Sequence, residues 1–125
     1  MKTVGYAAKK EKENLVPFHF ERRDLRDNDV AIDILYCGVC HSDLHQIDND
    51  WEGSMYPLVP GHEIVGKVTE VGSKVKDHKV GDKVAVGCFV DSCMSCDQCD
   101  TGHEHFCREG VTATYNSEDK IMGGH

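Results

Sequence analysis

The sequence contains no long apolar run. Nowhere do about 18 apolar residues follow one another, so no membrane-spanning helix is predicted. The stretch that precedes Lys9-Lys10 has no apolar segment long enough for an export signal. We therefore expect a soluble, cytoplasmic protein with no membrane partner.

Clusters of positive charge are also scarce. The longest runs of Lys or Arg are the pairs Lys9-Lys10 and Arg22-Arg23, and the formal net charge is -8. Nucleic-acid and anionic-membrane binding proteins need a stripe of cations to contact phosphates. We expect neither nucleic acid nor a membrane surface as a partner.

A dinucleotide-binding unit is missing as well. The chain has no G-x-G-x-x-G, no βαβ pattern and no acidic residue about 20 positions beyond such a loop. With 125 residues and 39% hydrophobic content, the chain supports one domain with one modest core. Residues 1–125 are therefore predicted to be a single domain without a nucleotide-binding domain.

Cysteine is abundant, with seven in this short chain. Without an export signal, metal ligation or catalysis is a better interpretation than disulfides, and seven cysteines cannot all pair. Four of them have the spacing Cys93-x2-Cys96-x2-Cys99-x7-Cys107, in a segment at about 91–110 that has almost no aliphatic residues. Such a segment cannot fold around its own hydrophobic core. We predict a tetrahedral four-thiolate site, most consistent with structural zinc.

Three alternatives to this zinc site fit the sequence less well. A bacterial ferredoxin run begins with the same two gaps but continues with x3 and proline, whereas here the gap is x7 and Arg108 follows. Four unligated cysteines are disfavoured because cysteine is among the most buried residue types. His103 and His105 lie within the x7 gap and could compete as ligands, but we expect them to be solvated.

The remaining pattern is mainly β. Residues 1–36 alternate short extended runs with polar breaks, and Val30, Ile32, Ile34 and Tyr36 share one face of a predicted half-buried strand. Further strands are predicted at 64–71 and 83–86, and the only helix at 40–47.

Cys40, His62 and Glu63 form a second set of candidate ligands. Each lies at a junction: Cys40 between a predicted strand and helix, and His62-Glu63 between a proline-containing loop and a strand. Catalytic zinc keeps three protein ligands and one open position. Spacing alone leaves this site open, because a buried cysteine and an incidental histidine explain it at least as well.

Longer motifs carry a family resemblance. The strings C-G-V-C-H-S-D-L-H (37–45), P-G-H-E-I-V-G (60–66) and V-G-D-K-V (80–84), followed by the four cysteines, resemble medium-chain zinc-dependent alcohol dehydrogenases. The cinnamyl-alcohol-dehydrogenase-like branch is the nearest match, and the similarity runs over about 30–115. The resemblance implies a GroES-like distorted β-barrel with a short helix and a zinc-binding lobe at about 91–110.

The resemblance also implies roles for individual residues. Cys40 and His62 would be catalytic-zinc ligands, and Glu63 a close acidic neighbour able to ligate. Ser42 would accept the proton of the substrate alcohol and His45 would end the relay to solvent. Positions 42 and 45 are i and i+3, and therefore lie on one helix face.

Three further positions receive implied roles. Asp43 would orient the histidine ligand, His41 would face the pyrophosphate of the cofactor, and Trp51 would line the substrate pocket. The implied reaction is reversible hydride transfer between a small alcohol or aldehyde and a nicotinamide, with zinc as Lewis acid. NADP is the cofactor of the branch resembled, with NAD as the alternative.

Compared with this family, we expect the domain to be incomplete. The nucleotide-binding domain, the C-terminal strands of the barrel and the third zinc-ligating cysteine would lie beyond the final residues, 123–125. We expect the isolated chain to be inactive, with one tight zinc and a second at partial occupancy, and the full-length form to be a homodimer. The alternative is a zinc-stabilised β-barrel acting as a binding module or pseudo-enzyme.

Two other motifs in the same region do not fit the functions that they suggest. Cys37-x2-Cys40 resembles a redox pair, but no βαβ pattern surrounds it. His41 and His45 have metalloprotease spacing, yet Ser42 occupies the position where that motif needs Glu. The two remaining cysteines, Cys37 and Cys88, are predicted to be small buried hydrophobic residues.

Overall fold

The computed structural model describes residues 1–123 and is mainly β, as predicted. Its two α-helices are α1 (His41–Ile47) and α2 (Asp97–Asp100), and a 3-10 turn covers Glu104–Phe106. The helix predicted at 40–47 is therefore present, but the prediction that it is the only one is wrong. No helix in this part of the chain is long and apolar enough to cross a membrane. The strands are β1 (Lys2–Ala7), β2 (Val16–Glu21), β3 (Val30–Gly38), β4 (Glu63–Val71), β5 (Lys83–Val86), β6 (Phe89–Asp91) and β7 (Thr112–Ala113).

The strands form three antiparallel sheets, with the orders β1-β2, β3-β4-β5 and β6-β7. In the central sheet, β3 pairs with β4 from Val30 opposite Val71 to Gly38 opposite Glu63. The end of β3 therefore lies beside the start of β4. This register brings the segment after β3 and the segment before β4 to the same end of the sheet.

The predicted burial of β3 is wrong in its second half. Ile32 is partly buried, but Ile34 and Tyr36 are exposed, and Ala31 on the other face is buried. Two irregularities interrupt the pairing, one between Ala31 and Ile32 and one between Ile34 and Tyr36. Asp33, Leu35 and Cys37 are exposed as well, so both faces of this half of β3 are open and the predicted half-buried face is absent there.

The hydrophobic core is small and lies between α1 and the N-terminal segment. It consists of Ala8, Ile47 and Leu58, with Tyr56 and Tyr115 packed against it. Ala8 and Leu58 exchange two backbone hydrogen bonds of 2.9 and 2.8 Å. Because Ile47 is the last residue of α1, this core anchors the helix that follows Cys40.

We expect Leu58→Ala to destabilise the protein by about 2–5 kcal/mol, because a fully buried leucine loses transfer free energy and leaves a cavity. Leu58 is 1% exposed. Leu35→Ala, at a residue that is 49% exposed, is the matched control and should cost no more than about 0.5 kcal/mol. Urea unfolding of the zinc-loaded chain measures both changes, and equal costs would contradict this description of the core.

Candidate metal centres

The four cysteines predicted to ligate zinc lie together. The sulfur atoms of Cys93, Cys96, Cys99 and Cys107 are all within 4.8 Å of one another. Sγ of Cys99 lies 3.9 Å from Sγ of Cys93 and 3.6 Å from Sγ of Cys96. A tetrahedron with metal–sulfur bonds of about 2.3 Å has edges of about 3.8 Å, so the donor set fits a single Zn²⁺.

Local backbone structure holds these sulfur atoms in place. Cys96 is the N-cap residue of α2, Cys99 lies within that helix, and Cys107 follows the 3-10 turn. The backbone N–H of Cys93 donates to Sγ of Cys107 at 3.4 Å, and that of Arg108 donates to Sγ of Cys96 at 3.5 Å. Such donors favour the thiolate form, which is the form that binds metal.

The thiols differ in acidity. The backbone N–H of Arg108, helped by the amide of Cys99, lowers the pKa of Cys96 to about 6. Against the lowering effect of the Ser92 hydroxyl, burial and the neighbouring Cys96 thiol raise the pKa of Cys99 to about 11. Metal binding would hold Cys99 as a thiolate too, because a cysteine must lose its proton to ligate a metal.

The two histidines of the x7 gap lie outside this cluster. His103 and His105 are exposed, and their ring centroids are 6.0 Å apart. Nδ1 of His103 lies 3.1 Å from the hydroxyl of Thr101, and the His105 ring packs on Phe106 at 4.2 Å. Both side chains therefore have local partners and solvent instead of a place among the four sulfur atoms.

The second predicted set, Cys40, His62 and Glu63, also comes together. One ligand atom of each lies within 4.8 Å of the others. Sγ of Cys40 is 3.2 Å from Nε2 of His62, and a sulfur and a nitrogen on one tetrahedral zinc are about 3.5 Å apart. His62 is buried and Glu63 is exposed. The pairing of Gly38 with Glu63 explains why residues so distant in sequence meet.

Asp43 organises this second centre from within α1. Its carboxylate accepts the backbone N–H of Cys40 at 2.9 Å through Oδ2, while Oδ1 faces Nδ1 of His62 at 3.4 Å. Asp43 is only 2% exposed. A buried carboxylate beside Nδ1 favours a proton on that nitrogen and leaves Nε2 free for a metal.

The residues assigned to proton transfer follow along α1. Oγ of Ser42 lies 2.7 Å from Sγ of Cys40, so Ser42 is in contact with the candidate ligands. Nδ1 of His45 lies 2.8 Å from a carboxylate oxygen of Asp50, and its ring packs on Trp51 with centroids 5.0 Å apart. Asp50 was not singled out from the sequence, because nothing in the motif marks it.

His41, the first residue of α1, and Trp51, in the turn after this helix, are both exposed. The His41 ring is exposed and its centroid is 6.2 Å from that of His45. Trp51 packs on His45, and it does not line the cleft beside His62 described next. The roles predicted for these two residues, in cofactor binding and substrate binding, therefore stay predictions.

An open cleft of about 470 Å³ lies beside the second centre. Cys88 lines it and is exposed, and Cys37 is exposed as well, so the prediction that both are buried is wrong. Cys37 lies in the second half of β3, where the side chains are exposed, and Cys88 lies between β5 and β6. The cleft is lined by His62, Glu63, Ile64, Val65, Ala85, Val86, Gly87 and Cys88.

Tyr115 is a neighbour of this centre that the sequence reading missed. Its ring stacks on that of His62, with centroids 5.5 Å apart and planes 16° apart. Burial, reinforced by the negative charge of Asp43, raises the pKa of Tyr115, so the phenol is neutral. Tyr115 belongs to none of the ligand motifs, and no local pattern predicts its contact.

Gly38 provides the space that the Glu63 carboxylate occupies. A Cβ added at Gly38 would clash with Oε2 of Glu63 and lie 3.0 Å from its Cβ. We expect Gly38→Ala to turn the carboxylate away and to weaken Co²⁺ binding at Cys40 and His62 about 10-fold, the scale found for disturbed neighbours of metal ligands. Titration of the chain with zinc already in the lobe measures this effect.

Gly87→Ala is the matched control for this substitution, because a Cβ there meets nothing within 4 Å. Glu63→Ala removes the carboxylate and leaves Gly38 unchanged. It therefore distinguishes the effect of the carboxylate from an effect on the backbone. If Gly38→Ala acts only through Glu63, adding it to Glu63→Ala causes little further loss. Additive losses would show instead that Gly38→Ala disturbs the pairing of β3 with β4.

Comparison with known proteins supports the motif-based resemblance. The profile of the alcohol dehydrogenase GroES-like domain matches residues 26–124. Probable cinnamyl alcohol dehydrogenase 3 of Oryza sativa subsp. japonica is 59% identical over 94% of this chain and 32% of its own length. The 8-hydroxygeraniol dehydrogenase of Catharanthus roseus is 52% identical over 100% of this chain and 36% of its own.

Solved structures agree. A cinnamyl alcohol dehydrogenase of Sorghum bicolor superimposes with a TM-score of 0.93 at 47% identity, over 100% of this chain and 35% of its own. A CAD from Helicobacter pylori, complexed with NADP(H), gives 0.92 at 44% identity, over 97% of this chain and 35% of its own.

These proteins share the fold that the motifs implied, and this chain spans about a third of their length. The GroES-like class predicted from the sequence is therefore confirmed, as is the resemblance to the cinnamyl alcohol dehydrogenases. The chain belongs to the family of alcohol dehydrogenase GroES-like domains.

Proposed function

We propose that this chain is the zinc-binding catalytic portion of an NADP-dependent alcohol dehydrogenase that interconverts small primary alcohols and aldehydes. The observation that carries the proposal is the convergence of Cys40, His62 and Glu63 beside an open cleft, with Asp43 directed at the histidine. A thiolate and an imidazole with room for substrate form the kind of donor set that catalytic zinc uses.

Cys40 and His62 would hold the metal, with Glu63 as an adjacent anionic ligand. When bound, zinc supplies Lewis-acid polarisation of the substrate oxygen, and the nicotinamide exchanges the hydride with the substrate carbon. Oδ1 of Asp43 faces Nδ1 of His62, where a carboxylate favours the proton and leaves Nε2 for the metal. The four-cysteine lobe would hold a second zinc with no open position, so its role is to stabilise the fold.

Ser42 and His45 would move the proton. Oγ of Ser42, in contact with the proposed ligand Cys40, would take the proton from the substrate hydroxyl during oxidation and pass its own proton through the ribose of the cofactor to His45. His45 delivers it towards solvent, and its bond to Asp50 keeps Nδ1 as the donor. The exposed His41 would contact the pyrophosphate of a cofactor whose binding domain lies in the rest of a longer, homodimeric enzyme.

For the chain alone we propose one tight zinc in the lobe and a weaker, exchangeable one at Cys40. Within residues 1–123, only Cys40, His62 and Glu63 gather at that centre. One thiolate and one carboxylate neutralise Zn²⁺, but three ligands bind it less tightly than four thiolates. Without a nucleotide-binding domain, we expect no turnover by the chain alone.

A chimera tests this function. The chain would replace the matching third of the Sorghum bicolor enzyme, whose backbone it superimposes on with a TM-score of 0.93. We expect NADPH-dependent reduction of cinnamaldehyde, with about two zinc ions per chimera. The unmodified Sorghum enzyme is the positive control. A folded, zinc-loaded chimera that binds NADPH but reduces no aldehyde would favour a binding module or pseudo-enzyme.

A further inference from the structure

The ring of Tyr115 stacks on His62, one of the three candidate ligands at the centre beside the cleft. The two rings are almost parallel, 16° apart, with centroids separated by 5.5 Å. Asp43 contacts the same imidazole at its edge, through Nδ1. His62 is therefore restrained at an edge by a carboxylate and on a face by an aromatic ring.

The edge contact alone leaves the ring free to turn. The distance from Oδ1 of Asp43 to Nδ1 of His62 is 3.4 Å, which is long for a hydrogen bond. The χ2 torsion of histidine has a broad energy profile, so one long contact does not fix the plane of the imidazole. A turn of some tens of degrees about χ2 would tilt the ring out of its present plane and take Nε2 away from Sγ of Cys40.

Tyr115 is itself held at three places. Its ring packs against the core formed by Ala8, Ile47 and Leu58. The preceding residue, Thr114, donates its backbone N–H to the carbonyl of Cys88 at 3.1 Å and its hydroxyl to the carbonyl of Gly87.

The following residue completes the attachment. Oδ1 of Asn116 accepts the backbone N–H of Met55 at 2.7 Å, which joins this turn to the loop that leads into Leu58. The tyrosine ring is thus fixed to the core, to the strand end beside the cleft and to this loop. A ring held in this way can restrain the imidazole that it covers.

We propose that Tyr115 is a positioning residue that holds the His62 imidazole in the plane in which Nε2 faces Sγ of Cys40. The metal-binding consequence rests on the proposed function, but the restraint on the ring is a property of the protein without a second metal. Tyr115 acts through His62 and touches neither substrate nor metal in this assignment.

Nitrogen-detected NMR of His62, at one fixed pH and with zinc in the lobe only, tests the restraint. Tyr115→Phe keeps the stacked ring, and we expect one imidazole tautomer with the proton on Nδ1, as in the wild type. Tyr115→Leu keeps apolar volume but removes the stack, so the nitrogen shifts should move towards a tautomer average. Tyr36→Leu is the matched control, because Tyr36 is 74% exposed.

Titration with Co²⁺ tests the consequence for metal binding. We expect Tyr115→Leu to weaken binding at Cys40 and His62 about 10-fold and Tyr115→Phe to restore it to within about 2-fold, while lobe zinc is unchanged. If Tyr115→Leu keeps both the wild-type tautomer and the wild-type affinity, the positioning role is wrong.

Two further outcomes are decisive. If no variant, including the wild type, binds Co²⁺ at this centre but the tautomer still depends on Tyr115, the positioning role stands and the proposed metal function fails. If Tyr115→Leu does not fold, a measurement on the wild-type protein alone tests the stacking. Its His62 ring protons must be shifted upfield by the tyrosine ring relative to the urea-unfolded chain, and unshifted protons overturn the proposal.

Discussion

Replacing Cys99 by serine is expected to abolish tight zinc binding and to unfold residues 92–110. Cys99 lies in α2, is buried, and its sulfur is within 4.8 Å of the other three thiols. Structural zinc contributes about 10–16 kcal/mol of apparent free energy in zinc-finger peptides, and the loss of one ligand removes most of that contribution. The lobe has almost no aliphatic side chains to take its place.

The damage should stay within the lobe. The short sheet β6-β7 connects the lobe to the remainder of the chain, while β3, β4 and β5 pair through their own hydrogen bonds. We therefore expect amide protection to be lost across 92–110 and kept in β4. The tight zinc content falls from one ion per chain to none.

Zinc analysis after dialysis and hydrogen exchange measure these two effects. Cys88→Ser is the matched control, because Cys88 is an exposed cysteine outside the cluster. It should retain one tight zinc and full protection of the lobe. A Cys99→Ser protein with unchanged lobe protection would mean that the four thiols do not hold a structural metal.

The second large effect is expected at His62. In the Sorghum chimera, His62→Ala removes one of the two ligands proposed for the metal and leaves the buried carboxylate of Asp43 without the imidazole that it faces. Loss of Lewis-acid stabilisation is worth several kcal/mol, so we expect kcat/KM for aldehyde reduction to fall about 10³-fold, or about 4 kcal/mol.

Steady-state kinetics with NADPH, together with zinc analysis, measure this loss. The lobe zinc should be retained and the second zinc should disappear. His19→Ala, at an exposed histidine on β2, is the control and should leave kcat/KM within about 2-fold. A His62→Ala chimera with near-normal activity would exclude His62 as a ligand that the reaction requires.

Much of the central sheet could be predicted from the sequence. β4 and β5 combine β-branched residues with glycine at the adjoining turns, and α1 has regular apolar spacing without glycine or proline. The spacing of the four cysteines is a local pattern too, so the sequence alone predicts the cluster.

Other features depend on contacts that no local pattern records. The two-residue strand β7 exists only because it pairs with β6, and the irregularities in β3 depend on its register with β4. Tyr115 reaches His62 through the path of the chain after the lobe. Asp50 meets His45 because α1 ends between them.

After the four-cysteine cluster the chain passes through β7 and reaches Tyr115, whose ring stacks on His62. Ordering one candidate metal centre therefore helps to order the other. Such coupling is reciprocal: if zinc in the lobe raises the affinity of the second centre for metal by a given factor, metal at the second centre raises the affinity of the lobe by the same factor. Because the lobe binds zinc more tightly, it fills first, and its zinc then holds the segment that carries Tyr115 while the second ion binds at Cys40 and His62.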